Sequence, residues 1–328
     1  MAGAQAGGRP TGGRSPRRPL RPYSHGMKIT VTGATGLIGS KVVARLAQRG
    51  DEVTVLSRDP ERAAAALGVA AARWQPTEEP APVDSLAGAD GVVHLAGEPI
   101  AQRWSPSVKQ RILDSRVTGT RNLVTALRDS HPRPAVLVSS SAVGYYGPRG
   151  DERIDESSGP GADFLAEVAQ AWEREADAAR EAGVRVVNLR TGVVLDPAGG
   201  ALAKMLPFFK AAVGGPVAGG RQYVAWVHAD DLVGMVVSAL DDPEWSGPIN
   251  ATAPEPVTNR ELSKALGRAL HRPAVAPVPV AALKLLYGEM GEIVTTGQRA
   301  VPARALALGY RHGHSELDEA LRAALARA

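Results

Sequence analysis

The 328-residue sequence contains no cysteine, and this absence excludes several kinds of chemistry at once. Disulfide bonds, zinc–thiolate centres and cysteine nucleophiles are all ruled out. The sequence also lacks any apolar run of the roughly 18 residues that a membrane-spanning helix requires. We therefore expect no membrane association, and the length suits one large α/β domain with a smaller part beside it.

Acidic residues are missing from the first 50 positions, where basic residues accumulate, although the net charge of the chain is only +4. The body lacks the interleaved basic and aromatic residues of nucleic-acid-binding surfaces, so no nucleic-acid partner is predicted. Residues 1–26 are rich in Gly, Arg and Pro and contain no apolar segment of a secretory signal. We expect a disordered head over residues 1–26, folding from Met27 onward, and a cytoplasmic location.

The most informative stretch runs from Lys28 to Gly50. A β-branched run is followed by a turn containing Gly33, Gly36 and Gly39, and then by an amphipathic segment that ends at Gly50. The first glycine permits a tight turn, the second lets backbone approach a diphosphate, and the third lets the helix lie close to the strand. The helix then presents free N–H groups to the phosphates, so this stretch predicts a dinucleotide-binding turn.

The end of the next strand bears on which dinucleotide is bound. NAD-selective enzymes usually place a carboxylate there to hold the ribose 2′-hydroxyl. This sequence has Ser57 and Arg58 instead, and a hydroxyl with a guanidinium suits a phosphate dianion. Arg58 as a solvated charge is the alternative interpretation. We predict NADP as the cofactor, with NAD less favoured.

The glycine spacing, together with Thr32, resembles the TGxxGxxG signature of extended and atypical short-chain dehydrogenases/reductases, which include the sugar-nucleotide epimerases. The resemblance continues through HLAGEPI, SAVGYYG, DFLAEV, GGALAKMLP, the segment 226–231 and the GPINATAP-to-GEM tail. From Met27 to the end, the chain is similar to the atypical branch called "epimerase family" proteins, which end in a small domain of unknown function.

This resemblance implies a doubly wound parallel sheet of the NAD(P)-binding Rossmann type with a smaller C-terminal substrate lobe. We expect the Rossmann domain over residues 27–250, with lobe elements from about residue 196, and the helical remainder of the lobe over residues 251–328. The combined cofactor-binding set consists of Gly33, Thr35, Gly36, Leu37, Ile38, Ser57, Arg58, Leu95, Ala96, Gly97 and Ser139.

Catalytic residues are harder to assign from the resemblance. By position, Ser141 would hydrogen-bond a substrate hydroxyl or carbonyl. The family's catalytic Tyr and Lys, spaced four residues apart, are both missing from the corresponding helix, residues 163–173. Tyr145 or Tyr146 could supply the phenol from the preceding loop, Glu167 could act as an acid or base, or catalysis could be absent.

Two hypotheses about function follow. The first is an NADP-dependent oxidoreductase or epimerase acting on a small hydroxyl- or carbonyl-bearing substrate, for which a nucleotide sugar is one option. The second is a catalytically degenerate NADP(H)-binding sensor or partner-binding protein. The sequence predicts neither the substrate nor the oligomeric state.

Five further positions have structural interpretations. His94 is expected to be an interior histidine, and Arg190 either positions substrate or closes an ion pair. His228 with Asp230 and Asp231 resembles a metal or triad set by composition. We favour Asp230 as the cap of a helix beginning near Leu232, and predict no metal site.

Overall fold

The computed structural model describes residues 26–326, except for the side chains at positions 282, 286, 287 and 292. The head expected over residues 1–26 therefore lies almost entirely outside the described residues. The strands of the described part are β1 (Lys28–Thr32), β2 (Glu52–Ser57), β3 (Ala70–Arg73), β4 (Gly91–His94), β5 (Val136–Ala142), β6 (Arg153–Ile154), β7 (Arg185–Thr191), β8 (Val193–Leu195), β9 (Tyr223–Val224), β10 (Trp226–His228), β11 (Gly247–Ala251), β12 (Val257–Thr258) and β13 (Arg299–Ala300).

The central feature is a seven-stranded sheet in the order β11-β7-β5-β4-β1-β2-β3, in which all neighbouring strands are parallel. From β1 the chain winds outward to β3 on one side. It then returns to β4 and winds outward to β11 on the other. This reversal between β1 and β4 is the switch point at which ligands of open parallel sheets bind. The predicted doubly wound fold is confirmed.

Helices cover both faces of this sheet. They are α1 (Leu37–Arg49), α2 (Pro60–Leu67), α3 (Pro106–Asp129), α4 (Phe164–Asp177), α5 (Gly200–Lys210), α6 (Ala229–Asp241), α7 (Asn259–Leu270), α8 (Val280–Tyr287), α9 (Met290–Ile293), α10 (Ala303–Ala307) and α11 (Leu317–Leu325). On one face, α1 and α6 pack on strand residues such as Val31 and Val93. On the other, α3 and α4 pack on Val92 and Leu137. Alternate strand residues thus build two cores, as a sheet covered on both sides requires.

A separate apolar cluster forms the smaller part of the molecule. It draws side chains from α5, α7 and α11, among them Leu206, Leu266 and Leu321, around the buried Trp226. A capping box begins α7, because Thr258 and Glu261 each bond the other's backbone N–H. The proposed division of the chain at residue 251 stays a prediction.

The C-terminal segment is fastened to α6 by one buried carboxylate. Asp231 accepts hydrogen bonds from the backbone N–H of Gly313 (2.7 Å) and of His314 (3.0 Å), and the Tyr310 hydroxyl donates to the Asp231 carbonyl oxygen (2.8 Å). Earlier in the segment, β13 pairs with β6. These bonds hold the chain after residue 299 against the sheet domain.

Candidate functional site

The turn between β1 and α1 is shaped by its glycines. Gly33 has φ of 66°, and a Cβ added there would lie 2.6 Å from the carbonyl carbon of Leu95. A Cβ on Gly39 would lie 2.2 Å from the Gly33 carbonyl oxygen. Neither position accommodates a side chain, because the turn, the helix and the end of β4 approach one another at backbone distance. Gly36, by contrast, is exposed, and a Cβ there would lie 3.2 Å from the Gly33 carbonyl oxygen.

Among residues 26–326, no side chain caps the N-terminus of α1. Gly36 occupies the cap position, no side chain accepts from the first-turn N–H groups, and the first turn carries no acidic residue. The amides of Leu37 and Ile38 and the partial positive charge of the helix therefore face the exposed turn at Thr35 and Gly36. This arrangement suits a diphosphate group.

The end of β2 supplies the next polar group. The Ser57 hydroxyl is engaged with the backbone of Asp59, donating to its carbonyl (3.0 Å) and accepting from its N–H (3.1 Å). Arg58 is exposed. Asp59 caps α2 through the N–H of Arg62. The loop is thus held by Ser57 and Asp59, and the guanidinium of Arg58 is the group presented at this end of the sheet.

At the end of β4, Leu95 and Ala96 are half-buried and Gly97 is exposed. Their backbone is fixed from below, because the Ala96 N–H donates to the Thr32 hydroxyl (3.3 Å). His94 is an interior residue, as predicted: its Nδ1 lies 2.7 Å from Thr32 Oγ1 and its Nε2 lies 3.0 Å from Thr120 Oγ1. Burial, with the nearby charge of Arg116, lowers the pKa of His94 to about 4.

Arg116 of α3 lies directly beneath this loop. A Cβ on Gly97 would be 3.3 Å from the guanidinium carbon, and Nη1 donates to the carbonyl oxygen of Glu98 (3.0 Å). The guanidinium also lies over the Trp172 ring, 5.0 Å from its centroid. Burial lowers the pKa of Arg116 to about 10, partly offset by Glu98. Sequence reasoning gave this buried cation no role.

A buried polar row crosses the carboxyl end of the sheet. Pairing places Ser141 of β5 beside Arg190 of β7, and Arg190 beside Asn250 of β11. The Ser141 hydroxyl donates to Glu173 of α4 (2.6 Å), and Arg190 holds the two oxygens of that carboxylate with two bonds of 2.8 Å. We refer to Ser141, Glu173, Arg190, Tyr146 and Asn250 as the buried row. Of the two roles considered for Arg190, substrate positioning or an ion pair, the structure shows the ion pair.

Tyr146 completes the buried row. Its side chain is fully buried, its hydroxyl donates to Asn250 Oδ1 (2.8 Å), and Arg190 Nη1 donates to its oxygen (3.0 Å). Burial raises the pKa of Tyr146 to about 12, although Arg190 acts in the opposite direction. For Arg190, burial opposes the charge, but the hydrogen bonds and charge of Glu173 raise its pKa overall. The charges and hydroxyls of the row thus satisfy one another.

Tyr145 differs from its neighbour. It is half-buried, its ring meets the Tyr146 ring edge to face with centroids 5.3 Å apart, and the Arg190 guanidinium lies 3.4 Å from its centroid. Across residues 26–326, the Tyr145 hydroxyl makes no recorded hydrogen bond to the protein. Glu167 is exposed in the first turn of α4, as expected of a surface glutamate. Tyr145 is thus the phenol near the sheet edge that remains available to a ligand.

One predicted cap is wrong. The helix α6 begins at Ala229, three residues earlier than expected, and its cap is His228, whose Nδ1 accepts from the N–H of Asp230 (3.2 Å). The sequence HADD offered both His and Asp as acceptors. Asp231 points instead to the C-terminal segment, so the neighbouring acidic residues divide into different roles.

The structure brings the predicted cofactor contacts to one edge of the sheet, apart from one side chain. Ser139 is fully buried, with its hydroxyl 3.3 Å from the Ser140 carbonyl oxygen, so its side chain does not reach this edge. The remaining positions are exposed or half-buried there: Gly33, Thr35, Gly36, Leu37, Ile38, Ser57, Arg58, Leu95, Ala96 and Gly97. Their roles stay predictions.

Fold and glycine turn together define a protein of the short-chain dehydrogenase/reductase class. Residues 29–251 match the NAD dependent epimerase/dehydratase family, and residues 278–324 match the domain of unknown function DUF1731. The first match covers well over half of the chain, so the chain belongs to the NAD dependent epimerase/dehydratase family. The resemblance seen in the sequence is confirmed.

Relatives agree with this assignment. The chloroplastic homologue of epimerase family protein SDR39U1 from Arabidopsis thaliana is 43% identical over 305 residues, covering 90% of this chain and 86% of that protein. The crystal structure of human epimerase family protein SDR39U1 with NADPH has a TM-score of 0.83 and 32% identity, covering 92% of this chain and all of that one. A nucleoside-diphosphate sugar epimerase structure from Corynebacterium glutamicum has a TM-score of 0.72 and 34% identity, covering 90% of this chain and 57% of that one.

The predicted cofactor class is confirmed at the level of the family, which is NAD dependent, and the human relative was solved with NADPH. In residues 26–326, no helix combines the length and apolarity needed to cross a membrane. The cytoplasmic location stays a prediction, since the Arabidopsis relative is described as chloroplastic.

Proposed function

We propose that the protein is an NADP-dependent oxidoreductase or epimerase that acts on a hydroxyl- or carbonyl-bearing small molecule, with nucleotide sugars as the substrate class. The observation that carries this proposal is the uncapped N-terminus of α1, which opens at the carboxyl edge of the sheet behind Gly36. The Corynebacterium relative, described as a nucleoside-diphosphate sugar epimerase, supports the substrate class.

The residues at this edge fit NADP. The amides of Leu37 and Ile38 would hold the diphosphate, which Gly36 would let approach the backbone closely, and the exposed guanidinium of Arg58 would pair with the 2′-phosphate. No carboxylate stands at the end of β2 to repel that phosphate, since Ser57 occupies the position. When bound, the nicotinamide supplies or accepts a hydride.

Proton transfer falls to Tyr145 in this proposal. Its hydroxyl has no recorded protein partner within residues 26–326, and Arg190 places positive charge over its ring at 3.4 Å. That charge would stabilise negative charge developing on the phenol oxygen as a proton leaves. Tyr146 is the less suitable phenol, because burial raises its pKa to about 12 and its hydroxyl is engaged with Asn250.

Ser141 would orient the substrate in a restricted way. Its proton is donated to Glu173, since a carboxylate can only accept, so the hydroxyl oxygen is left to accept from a substrate hydroxyl. This differs from the role expected from the sequence, in which Ser141 could also donate to a carbonyl. The internal bond favours an alcohol over a ketone as the group that Ser141 contacts.

A second candidate function is an NADP(H)-binding sensor or partner-binding protein without turnover. The observation that favours it is the closure of the buried row, which consumes the hydroxyls of Ser141 and Tyr146. The helix α4 contains neither Tyr nor Lys, so the family's usual proton-transfer pair is missing.

The discriminating experiment compares Tyr145→Phe with a matched control. Tyr223→Phe is suitable, because Tyr223 also lies under an arginine, with Arg299 4.9 Å from its ring centroid, but on β9. NADPH binding is measured by calorimetry, and turnover by the absorbance of reduced nicotinamide with a panel of nucleotide sugars. We expect Tyr145→Phe to lower kcat by about 100-fold or more while the NADPH Kd is unchanged, and Tyr223→Phe to behave as wild type.

Each alternative has its own outcome. Tight NADPH binding without turnover of any panel member would favour the sensor. Equal turnover by wild type and Tyr145→Phe would remove Tyr145 from the mechanism. Absence of any binding of NADPH or NADH would contradict both candidate functions.

A further inference from the structure

A cluster of imidazole and carboxylate groups lies where α6 meets the C-terminal segment. It contains His228 at the end of β10, Asp230 in the first turn of α6, and His314 in the loop before α11, with one donor atom from each lying within 4.8 Å of the others. Asp230 Oδ2 is 3.8 Å from His228 Nδ1 and 3.8 Å from His314 Nε2. The two imidazole rings face each other with centroids 3.8 Å apart.

A fourth residue orients one of these ligands. Both carboxylate oxygens of Glu319 lie 3.0 Å from His314 Nδ1. A carboxylate only accepts, so Nδ1 carries the hydrogen, and the lone pair of a neutral His314 is on Nε2, which lies 3.8 Å from Asp230 Oδ2. Histidines that bind metal usually donate their other ring N–H to a carboxylate in this way.

The spacing is close to that of a tetrahedral zinc site. Ligands held about 2.0–2.2 Å from zinc lie roughly 3.3–3.6 Å apart; the two separations from Asp230 Oδ2 are 3.8 Å, and the two imidazoles would have to draw together from within 4.8 Å. An ion on His228 Nδ1 would replace its 3.2 Å bond from the Asp230 N–H. Solvent reaches the cluster, because the side chains of Asp230 and His314 are 42% and 18% exposed.

We propose that His228, Asp230 and His314 form a binding site for Zn²⁺ or a similar divalent transition-metal ion, with Glu319 holding His314 in the required tautomer and water as the fourth ligand. His228 and Asp230 belong to the epimerase/dehydratase region, whereas His314 belongs to the DUF1731 region. A bound ion would therefore join the two regions of the chain. This site is independent of the cofactor turn.

The test is metal binding by the full chain after dialysis against a chelator. Zn²⁺ is titrated by calorimetry and Co²⁺ by its visible absorption, and melting is followed with and without Zn²⁺. We expect one ion per chain and a higher Tm with Zn²⁺ for wild type. His314→Asn should lower the Zn²⁺ affinity by about 100-fold or more, and Glu319→Gln by about 10- to 100-fold.

Glu316→Gln is the matched control, since Glu316 is exposed at the start of the same helix and caps it without a side-chain bond. It should bind Zn²⁺ as wild type does. NADPH binding serves as a fold check for every variant. Failure of wild type to bind one Zn²⁺, or unchanged affinity in His314→Asn, would overturn the site, the latter by placing the ion elsewhere.

Discussion

The glycine turn before α1 and the buried row across β5, β7 and β11 both lie at the carboxyl end of the sheet, yet they are built in opposite ways. The turn consists mostly of backbone, and its helix N-terminus has no side-chain cap. The buried row consists of side chains that bond one another, with Glu173 receiving bonds from both Ser141 and Arg190. Polar groups that no side chain caps are available to a ligand, whereas buried polar groups that bond one another stabilise the fold.

This difference predicts different consequences of substitution. A change at the turn should affect cofactor binding, because the polar groups there are met by a ligand. A change in the buried row should affect the stability of the fold, since a buried charge without its partner is costly. Three experiments test this contrast.

The largest effect is expected from Glu173→Gln. The substitution keeps the shape of the side chain but leaves the buried Arg190 without a counter-charge. We expect the free energy of unfolding to fall by about 3–5 kcal/mol, with little change in NADPH affinity if the protein folds. Urea unfolding followed by circular dichroism measures the loss.

Glu175→Gln provides the matched control two residues further along α4. Glu175 pairs with Arg121, whose side chain is largely exposed, so its loss should cost no more than about 1 kcal/mol. If the two variants unfold at the same urea concentration, the buried row does not stabilise the fold as we infer.

The second experiment concerns pH and His94. Its pKa is lowered to about 4 in the fold from an ordinary value of 6.5, so the unfolded chain binds the extra proton first. Stability from this group is therefore present above about pH 6.5 and is lost as the pH falls toward 4, by about 3 kcal/mol. We expect His94→Gln to remove this part of the acid destabilisation.

The measurement is the free energy of unfolding of both proteins from pH 7 to pH 4. The difference between the two curves isolates His94 from the carboxylates that titrate in the same range. His131→Gln is the control, since His131 is exposed, and its curve should follow wild type. Parallel curves for wild type and His94→Gln would contradict the assignment.

The smallest effect is expected from Arg58→Ala. Loss of a charge-assisted bond to the 2′-phosphate should weaken NADPH binding by about 1.5–3 kcal/mol, roughly 10- to 150-fold, and leave NADH binding and stability unchanged. Arg45→Ala, an exposed arginine on α1, should change neither. Calorimetric titration of both dinucleotides is the readout, and an equal loss for NADPH and NADH would show that Arg58 does not select the phosphate.

The same contrast explains how much of the molecule the sequence predicts. The turn is local, so it can be predicted from a short stretch of sequence that contains Gly33, Gly36 and Gly39 between a strand and a helix. The parallel sheet follows from the repeated alternation of buried strands and helices. The sequence did not decide between the two roles of Arg190, because its ion-pair partner Glu173 reaches it only through the packing of α4 on β7.

Other side-chain roles also depended on long-range contacts. Asp230 was the favoured cap of α6, with His228 noted only as part of a set that resembles a metal or triad site by composition, and the structure makes His228 the cap through a local bond. Arg116 was given no role from the sequence, and its place under Gly97 and over Trp172 depends on how α3 lies beside β4. Residue types indicate chemistry, but the three-dimensional neighbours decide its use.

The carboxylate of Asp231 has a consequence for how the chain can be shortened. It is buried in the first turn of α6, where it accepts hydrogen bonds from the backbone amides of Gly313 and His314. A truncation ahead of residue 313 would remove those amides and leave the carboxylate without these two hydrogen-bond donors. The segment from residue 313 onward is thus no detachable appendage, and designs that graft or trim it should treat residue 231 as part of the junction.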